Sequence, residues 1–216
     1  MDKILLYESY PCDTSFVVTL GYFGNQVLDF LKIAYPGRKF EFVKVDKFKG
    51  TGSSLLYSLI QAKDNLQIPF IYHACDTITT EDIPIPSKNW IAGYKGKDST
   101  SYASLSTIGN NVNDIHRKGH MNYDYLHMGL VGINNYIDFW KNADLIINNK
   151  PKDSTLGDVD VLKKIIPNNY FEIVSFKNWF DIGSIEGLVH AKKKLATKKF
   201  NVLDKLAESI YQVDNH

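Results

Sequence analysis

A basic excess is missing from this sequence: 25 Lys+Arg stand against 24 Asp+Glu, a formal net charge of +1. That balance draws the chain neither to nucleic acid nor to an anionic membrane, so any anion it binds must be held by a local constellation. Cysteine is nearly absent. Cys12 and Cys75 are the only two, too few for a disulfide framework and suited to a reducing compartment. No apolar run approaches the roughly 20 residues of a membrane helix. The opening Met1-Asp2-Lys3-Ile4-Leu5-Leu6-Tyr7-Glu8 is interrupted at Glu8, unlike a secretory leader. The six histidines show neither H-E-x-x-H nor a Cys/His zinc spacing, and no G-x-S-x-G elbow is present. Repeats and low-complexity segments are also lacking. What remains is ordinary globular usage, 44% hydrophobic and 23% charged over 216 residues. That is enough for one cored domain with at most a short appendage, and it predicts a soluble cytoplasmic protein.

The order of elements is legible. Ser15 to Leu20 reads as a buried strand, Asn25 to Ala34 as a helix stopped by Pro36-Gly37, and Phe40 to Val45 as a second strand. Gly50-Thr51-Gly52-Ser53-Ser54 opens a helix through Leu55 and Leu59, and Pro69 to Ala74 is a third strand running into Cys75-Asp76-Thr77. Strand, helix, strand, helix, strand predicts a parallel sheet with helices on its faces. Short strands follow at Asn89 to Tyr94, Tyr102 to Ile108, Val112 to His116 and Tyr125 to Ile133, with a hairpin turn at Gly109-Asn110-Asn111. They read as an antiparallel insertion. The chain then returns to a helix at Tyr136 to Ala143, a helix start at Ser154 to Asp158, a strand at Tyr170 to Phe176 and a helix at Ile185 to Ala196. An amphipathic stretch at Val202 to Val213 closes it.

In wound α/β sheets ligands sit beyond the carboxyl ends of the strands, and several candidates fall there. Asp76 ends an apolar strand, where a carboxylate must be solvated, paired or bound to a cation; the plainer alternative is a turn cap through Thr77. Asp181, in Trp179-Phe180-Asp181-Ile182-Gly183-Ser184, is a second carboxylate in an apolar setting, with the dipole of the following helix as the plainer partner. Gly50, Thr51 and Gly52 can bring backbone N–H groups to a ligand at a helix start. They form neither a Walker A loop nor a Rossmann G-x-G-x-x-G, and a tight turn capped by Ser53 or Ser54 explains them equally. Lys118, within His116-Arg117-Lys118-Gly119-His120, can clamp a phosphate or simply be a solvated turn lysine. Asp158-Val159-Asp160 has Asp-x-Asp spacing, but at a helix start it reads as dipole compensation.

In order, these pieces resemble the sugar-phosphate nucleotidyltransferases, the pyrophosphorylase branch of the GT-A-like fold. The matching stretches are Val17-Val18-Thr19-Leu20-Gly21-Tyr22 with Gly24, Gly50 to Leu55, Pro69-Phe70-Ile71 through Asp76-Thr77, Ile115 to Gly119, Met128-Gly129-Leu130, and Trp179 to Glu186, spanning residues 4–196. The resemblance implies an α/β, three-layer Rossmann-like fold with a mixed central sheet and an antiparallel insertion. It implies a nucleotidyltransferase domain over residues 1–198 and a separate C-terminal segment over 199–216.

It also implies roles. Asp76 and Asp181 resemble the family's ligands for Mg²⁺. Gly50, Thr51 and Gly52 resemble the turn that meets the nucleotide, and Lys118 the lysine that holds the acceptor phosphate. Gly129 and Arg117 fall in the acceptor pocket. The implied substrates are an NTP and a small phosphorylated acceptor, and the implied product an activated precursor for surface polysaccharide.

Two departures shape the expectation. The family's opening strand, G-x-G-x-R loop and Pro-Lys lysine have no counterpart, so the chain is expected to be N-terminally truncated and inactive as it stands. Arg117 replaces the Glu of hexose-specific members and cannot accept a sugar hydroxyl proton, which points to a non-hexose or more anionic acceptor. Residues from Phe200 onward resemble the join to a choline-kinase-like phosphotransferase. Two rival readings are a non-catalytic nucleotide- or sugar-phosphate-binding module, and a GT-A glycosyltransferase, whose Asp-x-Asp is missing where Asp76-Thr77-Ile78 stands.

Overall fold

The structure is a computed structural model and describes residues 9–195. Strand β1, Ser15–Leu20, carries the β-branched and aromatic residues that suit a pleated surface. Helix α1, Gly24–Ala34, buries Leu31 completely and stops ahead of Pro36. Strand β2, Lys39–Lys44, returns parallel to β1, from Ser15 opposite Lys39 to Leu20 opposite Lys44. Leu31 packs with Val27 and Phe30 on Val18, Phe40 and Phe42, so α1 covers one face of this pair. Helix α2, Leu55–Ile60, begins at Ser54, whose hydroxyl accepts the Tyr57 N–H at 3.0 Å.

Strand β3, Phe70–His73, leads into the two-residue strand β4, Thr77–Ile78. Then come β5, Trp90–Tyr94; the hairpin of β6, Ser104–Ile108, and β7, Asn111–His116; and the long β8, Tyr125–Ile133. The expected Gly109 turn joins β6 to β7, with Gly109 at φ +59. Helix α3, Tyr136–Asn149, runs past the expected end at Ala143 because Ile146 and Ile147 continue its apolar stripe onto the core. Helix α4, Asp158–Ile165, strand β9, Glu172–Phe176, strand β10, Phe180–Asp181, and helix α5, Ile185–Leu195, complete the described chain.

Six strands form one mixed sheet in the order β3-β8-β5-β9-β7-β6, and β6 also pairs with the start of β8. Only β5 and β9 run parallel within it. The main core lies where α3 and α4 cover the sheet: Phe139, Trp140, Leu162 and Ile165 pack on Phe70, Ile91, Leu105 and Val131. Trp140 stacks on Phe70 at 5.2 Å and donates its indole N–H to the Leu66 carbonyl at 2.9 Å.

The expectation that β1, β2 and β3 share one parallel sheet is corrected. β1 and β2 stand as a separate two-stranded sheet, and β3 joins the larger sheet antiparallel to β8. Among the described residues β1 pairs with β2 alone, while the edge of β3 is taken by the long β8, and residues of β1 and β3 line one cavity. Among the described residues no helix is long and apolar enough to cross a membrane. The amphipathic stretch at Val202 to Val213 and the boundary at 198 lie outside the described residues.

Candidate active site

Two short strands that sequence patterning does not show bring the carboxylates together. β4 and β10 pair antiparallel, with Asp181 opposite Thr77 and Phe180 opposite Ile78. The Ile182 N–H then donates to the Asp76 carbonyl at 2.8 Å, so the two aspartate segments are laced backbone to backbone. α5 packs behind the lacing, with Ala191 and Leu195 against Ile78. A side chain at Gly187 would strike the Asp181 carbonyl, so glycine lets the first turn of α5 seat there.

The Asp76 segment is anchored from the other side by β8. Ala74 donates its N–H to the Gly129 carbonyl at 2.8 Å, and Thr77 donates its hydroxyl to the Met128 carbonyl at 2.5 Å. Gly129 sits at φ +71, where a Cβ would lie 2.8 Å from that of Ala74. Its place is therefore directly beneath the turn that presents Asp76.

The carboxylates meet over Gly183. A Cβ built there would lie 3.1 Å from Oδ1 of Asp181 and 3.1 Å from Oδ2 of Asp76, so these oxygens are no farther apart than twice that distance. Burial raises the Asp76 pKa, and the Asp181 charge raises it further, while Lys118 acts in the opposite sense. Two like charges drawn together in a half-buried place repel, which is why Asp181 makes Asp76 harder to ionise unless a cation or hydrogen-bond donor offsets the charge. Tyr102 donates its hydroxyl to Oδ2 of Asp181 at 2.8 Å, and the Gly183 N–H donates to Oδ1 at 2.8 Å. The Tyr102 phenol is pushed up to about 12, by burial first and by that hydrogen bond second. Trp179 meets the Tyr102 ring edge-on at 4.6 Å and fixes its direction.

Among the described residues no group of three or more His, Cys, Asp or Glu side chains could hold a metal. The pair is a two-carboxylate set, which suits Mg²⁺ because that ion takes one or two carboxylates and completes its shell with water and substrate phosphate.

The remaining candidates fall as follows. Lys118 is exposed in the turn after β7, near enough to Asp76 to favour its ionised form. Arg117, beside it, is not presented alone; its guanidinium pairs with Asp160 at the start of α4. Asp160 also accepts the Gly157 N–H at 2.9 Å, which is the helix-start role expected of it. Asp158 departs from that expectation. It turns inward, 7% exposed, and accepts from Nε2 of the buried His127 at 2.9 Å.

In the glycine-rich turn, Gly50 and Thr51 are exposed, with Gly50 at φ +79. Gly52 is buried, and its N–H is already donated to Oγ of Ser154 at 3.3 Å. A Cβ on Gly52 would come within 2.6 Å of the Pro151 carbonyl. Gly50 and Thr51 are thus open to a ligand, while Gly52 ties the turn to the segment before α4.

Tyr102 is the residue that sequence reading passes over as a site member. It stands ahead of a strand among serines and threonines, and nothing local marks it; only the fold carries it to Asp181.

No family model matches the sequence, and no curated protein sequence matches it either. Solved structures do. The chain superposes on the CTP:phosphocholine cytidylyltransferase from Streptococcus pneumoniae with a TM-score of 0.68 at 16% identity, over 88% of this chain and 82% of that one. For the inositol-1-phosphate CTP transferase from T. maritima the TM-score is 0.61 at 16% identity, over 95% and 80%. For a nucleoside-diphosphate-sugar pyrophosphorylase from Vibrio cholerae it is 0.62 at 11% identity, over 88% and 83%. The fold is shared with all three, along about nine-tenths of this chain and four-fifths of each of the others.

Proposed function

We propose that this chain, which has the fold of the nucleotidyltransferases, transfers a nucleoside monophosphate from an NTP to a small phosphorylated acceptor and releases pyrophosphate. The observation that carries the reading is the convergence of Asp76 and Asp181 over Gly183, with Lys118 in the field of the same carboxylate.

A phosphate oxygen of the acceptor forms the new bond to the α-phosphorus, and the bond from that phosphorus to the bridging oxygen of the β-phosphate breaks. Positioning and charge neutralisation dominate such a transfer. Asp76 and Asp181 would hold Mg²⁺, which when bound supplies Lewis-acid neutralisation of phosphate charge. Tyr102 keeps Asp181 aimed at the shared space. Lys118 offsets the charge of the acceptor phosphate as two anions approach. Gly50 and Thr51 offer backbone at the mouth of a helix for the nucleotide.

The acceptor we favour is a phosphoalcohol rather than a hexose phosphate. Arg117 supplies donors only, and two of the similar structures are named for phosphocholine and inositol-1-phosphate as acceptors. The finer expectations, an activated precursor for surface polysaccharide made in the cytoplasm, belong to this proposal. The two exposed, unbridged cysteines fit a reducing compartment. A second reading is nucleotide binding without turnover, which the exposed Gly50 and Thr51 would serve by themselves.

The test is pyrophosphate release from each of the common NTPs with phosphocholine, inositol-1-phosphate or glucose-1-phosphate, with and without Mg²⁺, alongside titration of nucleotide binding. Release that needs both NTP and acceptor supports the transfer. Mg²⁺-dependent binding without release supports the second reading. Neither binding nor release removes both.

A further inference from the structure

We propose that His116 and His120, stacked across the base of the turn that carries Lys118, form a clasp that holds this lysine toward the acceptor phosphate and opens when both rings are protonated. The two rings are positioning residues. What Lys118 does rests on the transfer reading; the clasp itself rests on geometry.

His116 ends β7 and is the anchored half of the pair. Its Nε2 lies 2.8 Å from the Ser106 hydroxyl on β6, and its Nδ1 lies 3.6 Å from the Asp114 carboxylate. A carboxylate on that side favours a proton on Nδ1, so Nε2 accepts from Ser106. The His120 ring lies flat on the His116 ring, with centroids 3.7 Å apart and planes 15° from parallel. His120 is exposed, and among the described residues its ring makes no hydrogen bond, so the stack is what orders it.

Between the rings, the turn sends its two cations to different carboxylates. Arg117 pairs with Asp160 at the start of α4, while Lys118 acts on Asp76. Gly119, at φ +93, donates its N–H to the Ser99 carbonyl at 2.7 Å. Bonds on both sides of Lys118 therefore pin the turn, and the stack closes its ends. A lysine on an open turn must give up backbone as well as side-chain freedom when it meets a phosphate. A closed turn leaves only the side chain to be ordered, which strengthens binding without a new contact.

The groups facing the stack decide when it opens. Burial lowers the His116 pKa, Asp114 on its own strand raises it, and His120 and Lys163 of α4 lower it again. Lys163 is drawn to Asp114 at 3.8 Å and so takes part of that carboxylate's attraction. One proton on the pair leaves an imidazolium against a neutral ring. A second sets two positive rings face to face, with Arg117 and Lys118 in the same turn, and the exposed His120 is the one free to leave.

Two variants of the full chain test this. His120→Ala removes the stack; His120→Phe keeps it and cannot be protonated, and a protonated His116 against a phenyl ring remains favourable. The first readout needs no substrate: the exchange protection of the Gly119 amide, measured by NMR at about pH 7.5 and about pH 5, on either side of the ordinary histidine pKa. Protection should fall in His120→Ala at both pH values, fall in wild type only at the lower, and hold in His120→Phe at both. Equal protection in all three overturns the clasp. The second readout is pyrophosphate release with phosphocholine. His120→Ala should raise its KM roughly tenfold with kcat little changed, and His120→Phe should restore it. A lost clasp with an unchanged KM overturns the positioning role. Tighter phosphocholine binding at the lower pH that His120→Phe abolishes makes His120 a direct phosphate ligand and also overturns it; comparison at one pH cancels the titration of the phosphate itself. A wild-type chain that neither binds nor transfers overturns the transfer reading instead, and the Gly119 amide alone then decides whether the turn is clasped.

Discussion

Asp181 stands opposite Thr77 in the antiparallel pairing of β10 with β4, and its carboxylate thereby shares the space above Gly183 with that of Asp76. Replacing either carboxylate with its amide keeps the shape and removes the charge. Asp76→Asn and Asp181→Asn should each lower Mg²⁺ or Mn²⁺ affinity by more than the 10–100-fold that loss of a group behind a metal ligand typically costs. Isothermal titration with nucleotide present measures it. Wild-type affinity in both variants would remove the cation site from this pair.

Tyr102 acts through Asp181, as a positioning residue. Tyr102→Phe removes the 2.8 Å hydrogen bond while keeping the ring packed on Trp179. Metal affinity should fall roughly 10–100-fold with little loss of stability. The phenol gives a second readout: in a difference ultraviolet titration against wild type, Asp181→Asn should shift one tyrosine's ionisation to lower pH, since the hydrogen bond and charge of Asp181 add to burial in raising it.

His73 makes stability depend on pH. Its Nε2–H donates to the Thr77 carbonyl at 3.0 Å, so Nδ1 carries the lone pair that accepts from the Tyr10 hydroxyl at 2.7 Å. Burial holds the ring neutral and lowers its pKa from 6.5 to about 4. The unfolded chain takes up the proton first as pH falls. The contribution of neutral His73 is therefore complete above about pH 6.5 and is lost between there and about pH 4. Because the ring borders the open cleft, its size is at most about 3 kcal/mol. Urea unfolding at a series of pH values reads it out, and His73→Gln should flatten the profile across that window.

The elements were largely written in local pattern. Leu31 and its neighbours at helical spacing, the run from Ser15 to Leu20 and the glycine turn at Gly109 each state their own structure, because period and turn chemistry are local properties. The site was legible only in part. Asp76 follows an apolar strand and so announces itself, but its meeting with Asp181 depends on two strands of two residues each, too short to show a period. Tyr102 and the inward turn of Asp158 carry no local signal, since both result from tertiary packing. The partner of β3 has no local signal either: patterning shows that a strand exists, and its antiparallel pairing with β8 is decided by the fold.

The buried pair of His127 and Asp158 should be worth most as a pair. Nδ1 of His127 has no hydrogen-bond partner among the described residues, so Asp158 is the group that satisfies the ring. Asp158→Leu alone leaves a buried imidazole with neither nitrogen satisfied and should cost about 1–3 kcal/mol. The double change to His127→Leu and Asp158→Leu should cost less than the two single changes together. Denaturant midpoints for the four proteins give the coupling, and strict additivity would mean that the two side chains do not depend on each other.

The two glycines of the turn before α2 separate ligand access from packing. Gly50 and Gly52 both have positive φ, at +79 and +82, so an alanine at either position is strained by roughly 1 kcal/mol. Nothing lies within 4 Å of the Cβ position on Gly50, whereas the one on Gly52 would come within 2.6 Å of the Pro151 carbonyl, a backbone atom that cannot swing aside. Gly52→Ala should therefore lose about 3 kcal/mol, at the upper end of ordinary single substitutions. Gly50→Ala should lose only the strain, yet it should weaken nucleotide binding, because Gly50 lies on the exposed side of the turn. Chemical denaturation and nucleotide titration of the two variants distinguish these roles; equal stability losses would show that the contact with Pro151 yields, and unchanged binding in Gly50→Ala would take the nucleotide away from this turn.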